Sequence, residues 1–372
     1  MTPDPVDEAV ALHDLALSAW DEHRYPRSID LCRRALGLLE AHAGPGSPDV
    51  ANVLTLLGSA HDELGEHAAA EAYHRRATAV MAALPSRPDV LLRLRVQAAV
   101  ALAGNLRRQG RYAAAERLLH AACDDAAPRF TDLEMVPLRN ELGVLYKFAG
   151  RHDDALAQYT AVRTVLEAAH GPDHPALAAV WHNLAGLAHS RDDLATAEAC
   201  ARRSLALHRG CYPPGHPAVV ADEAHLAAIL QARGEPAEAE PLLRKAIAYF
   251  TARHGPDHPD VLTNRHNLAA VLAARDPAAA AALYTVVLAG KRRTYGASHP
   301  EVALTLTNLA ALAAARGAPD EARALAVEAH RILAPQVAAT HPALASVTAY
   351  LTVSGVGQPP VAATTVPATT AA

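Results

Sequence analysis

Three histidines, His182, His225 and His266, stand 43 and 41 residues apart, and imidazole is both a common metal ligand and a general base near neutral pH. Five more each precede a proline, at His174, His216, His258, His299 and His341, in steps of 42, 42, 41 and 42. A zinc site needs nitrogens ~2 Å from one ion. Residues recurring at a fixed interval occupy equivalent places in successive units, and neighbouring helices lie ~10 Å apart, so these side chains do not converge on one metal. There is no HExxH segment, and Cys32, Cys123, Cys200 and Cys211 form no CxxC pair. Scattered cysteines of this kind read as reduced cytosolic thiols. The acidic pairs Asp124-Asp125, Asp153-Asp154 and Asp192-Asp193 fall at turns and helix starts, where carboxylates complement the helix dipole. No glycine-rich phosphate loop and no activated nucleophile can be recognised. The reading is a protein with no catalytic residue, no metal and no cofactor.

The bulk composition agrees. Hydrophobic residues make up 51% and aromatics only 4% of the chain, and much of the apolar share is alanine, which suits close-packed helices. A net charge of −5 offers no basic field for phosphates, so nucleic acid is not an expected partner. Every apolar run is broken by Arg, Asp or His, and Met1–Val10 is acidic and proline-bearing. No membrane span and no secretory signal are therefore expected, and the location is read as cytoplasmic. Lys147, Lys245 and Lys291 are the only lysines beside many arginines, a bias read as the codon usage of a GC-rich bacterial genome.

The elements that would position any site follow from the repeat. Proline opens a helix at no cost, because its missing N–H is unused there, and Ser47-Pro48 and Arg87-Pro88 fill the His-Pro slot upstream. About 17 residues after each proline comes Gly65, Gly110, Gly150, Asp192, Gly234, Asp276 or Gly317, with His23 in the first unit. These types tolerate the left-handed backbone of a tight turn. Seven before that turn stand Ala16, Gly58, Ala103, Gly143, Ala185, Ala227, Ala269 and Ala310. Five after it stand Ser28, Ala70, Ala115, Ala155, Ala197, Ala239, Ala281 and Ala322. Twelve after it stand Ala35, Ala77, Ala122, Val162, Ser204, Ala246, Leu288 and Ala329. Small residues at fixed offsets are what two closely crossing helices require. The unit is thus helix A, tight turn, helix B and a longer loop.

On these columns, on the His-Pro starts and on runs such as His182-Asn183-Leu184-Ala185 and Gly110-Arg111-Tyr112-Ala113-Ala114-Ala115-Glu116, residues 7–336 resemble the tetratricopeptide repeat family, in its kinesin-light-chain-like form with a 42-residue period. The resemblance implies an all-α, right-handed superhelical solenoid of about eight tandem helix-turn-helix repeats. The expected units are 7–46, 47–86, 87–130, 131–172, 173–214, 215–256, 257–297 and 298–338. Ala343, Leu344, Val347 and Leu351 mark a capping helix over 342–353, and the Pro/Ala/Thr-rich residues 354–372 read as a disordered tail. Between Ala121 and Pro137 the register slips.

Nine or ten residues before the turns stand Asn140, Glu141, His182, Asn183, His225, His266, Asn267, Thr307 and Asn308. They form a polar stripe on the inner face of the A helices. Small residues such as Ser59, Gly104, Gly186, Ala228 and Ala270 lie beside it, leaving room for a partner. The family resemblance implies peptide contact at Asn183, Asn267 and Asn308. The same amides could equally bond neighbouring helices, and both readings stand at this point. The expected groove is Asn140, His182, Asn183, His225, His266, Asn267, Thr307 and Asn308. The expected function is a non-enzymatic scaffold binding a protein or peptide in the concave face; the alternative is a ligand- or peptide-sensing regulator acting through a separate effector chain. The lysine- and arginine-based clamp of chaperone-binding relatives is absent, since Val100, Ala101, His182 and Ala224 occupy its positions. The sequence does not fix the oligomeric state.

Overall fold

The structure, a computed structural model, describes residues 4–85 and 89–352. The Arg87-Pro88 slot and the expected tail lie outside the described residues. Within them the secondary structure is helical, without a strand. Two units are described separately, residues up to Leu142 and residues from Gly143 onward.

In the first unit, α1 (Pro5–Asp21) pairs with α2 (Tyr25–His42), α3 (Pro48–Glu63) with α4 (His67–Ala83), and α5 (Asp89–Arg108) with α6 (Tyr112–Ala126). Ser47 caps α3 by accepting the Val50 N–H at 3.3 Å. After α6 the chain enters α7 (Val136–Phe148) through a capping box. There Glu134 accepts both the Thr131 N–H and the Thr131 hydroxyl at 2.9 Å, and the Glu134 N–H returns to the Thr131 Oγ1. This is the physical form of the slipped register, since a Thr-x-x-Glu start replaces His-Pro.

The second unit continues with α8 (His152–His170), α9 (Ala178–Ser190), α10 (Leu194–Cys211), α11 (Pro217–Ala232), α12 (Pro236–His254), α13 (Pro259–Leu272), α14 (Pro277–Tyr295), α15 (Pro300–Ala315) and α16 (Pro319–Leu333). Then α17 (Pro342–Thr352) packs on α15 and α16 through buried Ala343, Leu344 and Val347, and so caps the stack. The helices α9 to α16 pair antiparallel in order, each pair stacking on the next.

The histidine of each regular His-Pro pair proves to be an N-cap. The Nδ1 atoms of His174, His216, His258 and His299 accept the N–H two residues on, at 3.2, 3.3, 3.3 and 3.1 Å. Four residues upstream, His170, Tyr212, His254 and Tyr295 each stack a ring on that imidazole, at centroid distances of 4.5, 3.9, 4.4 and 4.6 Å. The end of one B helix is thereby fastened to the start of the next A helix.

The turn column adopts positive φ at His23, Gly65, Gly110, Gly150, Asp192, Gly234 and Gly317. Asp276 departs from it. Its φ is −144°, and its carboxylate caps α14 by accepting the Ala279 N–H at 2.9 Å. Pro277 follows at once, so this turn is one residue shorter, which accounts for the single 41-residue step from His258 to His299. The shift carries into the B helix, where Ala280 and Val287 are fully buried while Ala281 is half-buried and Leu288, still buried, is 8% exposed. The small columns are otherwise packed shut. A Cβ on Gly58 would lie 2.6 Å from the His74 ring, and one on Gly143 would lie 2.5 Å from the Tyr159 ring.

Candidate functional site

The expected stripe occupies the A helices. Asn140 lies on α7 within the first unit and is half-buried. In the second unit, His182 and Asn183 on α9, His225 on α11, His266 and Asn267 on α13, and Thr307 and Asn308 on α15 are all buried. Two groups of these residues come together.

The first joins α9, α10 and α11 around Asp222. One carboxylate oxygen accepts from His182 Nδ1 at 2.8 Å; the other lies 2.8 Å from His208 Nδ1 and 2.7 Å from Ser204 Oγ. Burial pushes this carboxyl up, but the bonds from His182 and His208, the charge of His182 and the Ser204 hydroxyl outweigh it and hold Asp222 well below the usual carboxylate range. The His225 ring lies against His182 with centroids 4.2 Å apart. Burial, reinforced by His182, Lys147 and His189 and opposed by Asp222, keeps His225 neutral to well below its ordinary range. Its Nε2 is buried and has no hydrogen-bond partner. A Cβ on Gly186 would sit 3.2 Å from Lys147 Nζ and 3.5 Å from His225 Nε2, so these side chains occupy the space over this glycine.

The second group joins α13, α14 and α15. His266 Nε2 accepts from Asn308 Nδ2 at 3.0 Å, which leaves Nδ1 protonated to donate to Thr305 Oγ1 at 3.2 Å. Asn308 Nδ2 also donates to Tyr284 Oη at 2.9 Å. Both amide protons are then engaged, and Asn308 Oδ1 is buried without a partner. Thr307 turns its hydroxyl back onto the Ala303 carbonyl at 2.9 Å. Beside this group Lys291, 0% exposed, meets the Glu301 carboxylate at 2.6 Å. Burial, with Lys291 adding to it, holds His266 well below its ordinary pKa.

Chemically these groups tie helices together. Ser204 touches Asp222, and both histidines approach that carboxylate through Nδ1, so neither is placed to take the serine proton as a hydroxyl-activating base would be. Among the described residues no cluster of three or more His, Cys, Asp or Glu is arranged to hold a metal ion. None of the described helices is long and apolar enough to cross a membrane.

Tetratricopeptide repeat models match residues 7–83, 134–210 and 220–293, and a second such model matches 302–333, together well over half the chain. The chain belongs to the tetratricopeptide repeat family. No curated protein matches it in sequence. Among solved structures it is similar to BtubC (BKLC) from P. vanneervenii, with 21% identity and a TM-score of 0.45 over 63% of this chain and 91% of that one. It is also similar to a Rap protein complexed with competence and sporulation factor, with 11% identity and a TM-score of 0.61 over 93% and 97%. The Rap conjugation gene regulator of plasmid pLS20, in complex with the Phr* peptide, shares 14% identity with a TM-score of 0.60 over 75% and 72%. At these identities the likeness concerns the fold.

In this tetratricopeptide repeat protein the sequence reading missed Asp222, Tyr284, Thr305 and Lys147 as neighbours of the expected residues. Asp222 had a readable signal, a carboxylate inside the apolar run Val219–Leu230. Lys147 and Lys291 had another, being two of three lysines in an arginine-rich chain and both buried. Tyr284 had none, because its place beside Asn308 depends on the one-residue deletion before Asp276.

Proposed function

We propose that the chain is a non-enzymatic scaffold that holds a peptide or partner protein on the inner face of its A helices. The observation that carries this reading is that two residues of the stripe hold buried polar atoms without a hydrogen-bond partner, Asn308 Oδ1 and His225 Nε2, among polar groups that are largely engaged. A buried acceptor without a partner is costly. An extended peptide brings backbone N–H and C=O groups that would satisfy both atoms whatever its sequence. Support also comes from the fold, since the Rap regulator and NprR structures with TM-scores of 0.60 and 0.54 are complexes with peptides. In this reading His182, Asn183, His225, His266, Asn267, Thr307 and Asn308 line the groove of the second unit, Asn140 is a binding residue of the first, and the protein acts in the cytoplasm.

The test is selection of binders from a displayed random-peptide library, followed by titration of the selected peptides. Replacing Asn183, Asn267 and Asn308 together by Ala should weaken binding at least tenfold while circular dichroism still reports a folded helical protein. Unchanged affinity, or collapse of the fold, would show that these amides serve packing and not a partner.

A further inference from the structure

In a stacked repeat array each unit touches only its neighbours. The second unit breaks that rule. The Ala338 N–H donates to the Ala149 carbonyl at 2.8 Å, and the Thr340 hydroxyl donates to the Gly150 carbonyl at 3.0 Å, a separation of 190 residues. His341 lies against Gly150 so closely that a Cβ there would come within 2.8 Å of the His341 Cβ and 2.9 Å of its Cα. The turn between α7 and α8 is therefore fastened to the loop between α16 and α17.

Burial on the A helices bears the mark of this closure. On α3, in the first unit, Asn52, Leu56, Ser59 and Glu63 form a half-buried stripe at steps of four, three and four residues, as an open inner face should. On α11 every residue from Val219 to Leu230 is buried, so no side of the helix faces water. Lys147 Nζ, from α7, and the His225 ring, from α11, lie 3.2 and 3.5 Å from where a Cβ on Gly186 of α9 would stand, so side chains of two A helices close over the glycine of a third.

We propose that Ala149–Gly150 and Ala338–His341 form a latch that closes the second unit around its inner stripe and controls a partner's entry to it. This rests on the inner stripe being the binding face. With the latch shut, His225 and Asn308 are sealed from solvent. With it open, the repeats uncurl enough to admit an extended chain.

Glycine substitutions isolate the latch. Gly150, Gly234 and Gly317 occupy the same turn slot with φ of 79°, 80° and 79°, and only at Gly150 does an added Cβ meet anything within 4 Å. Gly150→Ala thus carries the same backbone strain as Gly234→Ala and Gly317→Ala but also pushes the latch apart. Asp192 in the equivalent turn, at φ 61°, shows that this slot accepts a side chain. The probe is diethyl pyrocarbonate, which acylates accessible neutral imidazole, read by peptide mass spectrometry. His225 is the reporter, because its unpartnered Nε2 leaves access as the limit, and exposed His174 is the internal standard. Losing two hydrogen bonds should raise the open population, and so His225 modification, about tenfold or more in Gly150→Ala. Thr340→Val, at an exposed position, removes one bond and should give a smaller rise. Gly234→Ala and Gly317→Ala should match wild type. Equal protection of His225 in Gly150→Ala, Thr340→Val and Gly234→Ala overturns the latch. The readout uses no peptide, so a failed peptide-binding assay would count against the binding face alone.

Discussion

Replacing His189 by glutamine should remove a measurable part of the second unit's sensitivity to acid. His189, 4% exposed on α9, has its pKa lowered to about 4 from 6.5 by burial, against the pull of Asp192 and with help from the Lys147 charge. Above pH 6.5 both folded and unfolded chains hold the ring neutral, and its contribution to stability is fully present. Below 6.5 the unfolded chain takes up a proton that the folded chain refuses, so stability falls with pH until the folded group titrates near 4. The full span is worth about 3 kcal/mol, and about 2 kcal/mol is already lost at pH 5. His225 and His266 are depressed in the same sense and steepen the same limb. Urea unfolding followed by circular dichroism at pH 7, 6 and 5 gives the slope directly. His189→Gln shifts the whole curve by a constant, because packing changes, but its drop from pH 7 to 5 should be smaller than wild type by about 2 kcal/mol. Parallel curves over that interval would refute the reasoning, for they would mean that the buried ring titrates as it does in the unfolded chain. Lys147→Met should reduce the drop partially, because it removes one of the charges that disfavours the imidazolium.

Three further perturbations follow from particular contacts. Lys291→Met strands the Glu301 carboxylate and should cost about 3–5 kcal/mol, while Lys291→Met with Glu301→Leu should recover most of it, both read as chemical-denaturation midpoints. His299→Ala removes the cap on α15 and should cost about 1 kcal/mol, with His299→Ser restoring much of it in a thermal melt. Gly58→Ala drives a methyl into the His74 ring and breaks the His74–Asp62 contact at 3.1 Å, so the first unit should melt lower while Gly37→Ala, with open space around it, should leave the melting temperature unchanged or raise it.

The helices and their pairing were legible because period, proline and small-residue columns all act within one unit, where spacing in sequence is spacing in structure. The proline of His-Pro explained the helix start, but the imidazole cap and the ring stacked on it from four residues upstream depend on how one B helix meets the next A helix. Asp276 shows the limit of aligning by type: aspartate tolerates the left-handed turn at 192, yet before Pro277 it takes a negative φ and caps a helix. The residues from His182 to Asn308 were legible as equivalent positions on successive A helices. Their burial was not, because that depends on curvature summed over four repeats and on the contact between residues 150 and 340, which no local pattern encodes.

The buried polar groups answer a problem that the alanine columns create. A face of alanines is nearly degenerate, since sliding one helix by a turn replaces one small residue with another and loses little packing. A charged or amide group in a low-dielectric interior has no such freedom, because leaving its partner costs the full desolvation of both groups. In the first unit Asp62 is held by His67 Nδ1 at 2.8 Å, His74 Nε2 at 3.1 Å and Asn105 Nδ2 at 2.7 Å, pinning α3, α4 and α5. In the second, Asp222 pins α9, α10 and α11; Lys291–Glu301 pins α14 to α15; and Asn308 joins α13, α14 and α15. Each group spans three consecutive helices or the joint between two repeats, which is where an alanine-rich stack would otherwise slip. Asn308 completes its network while leaving Oδ1 unused, so the side chain that fixes the register of the stack still holds an unpaired acceptor.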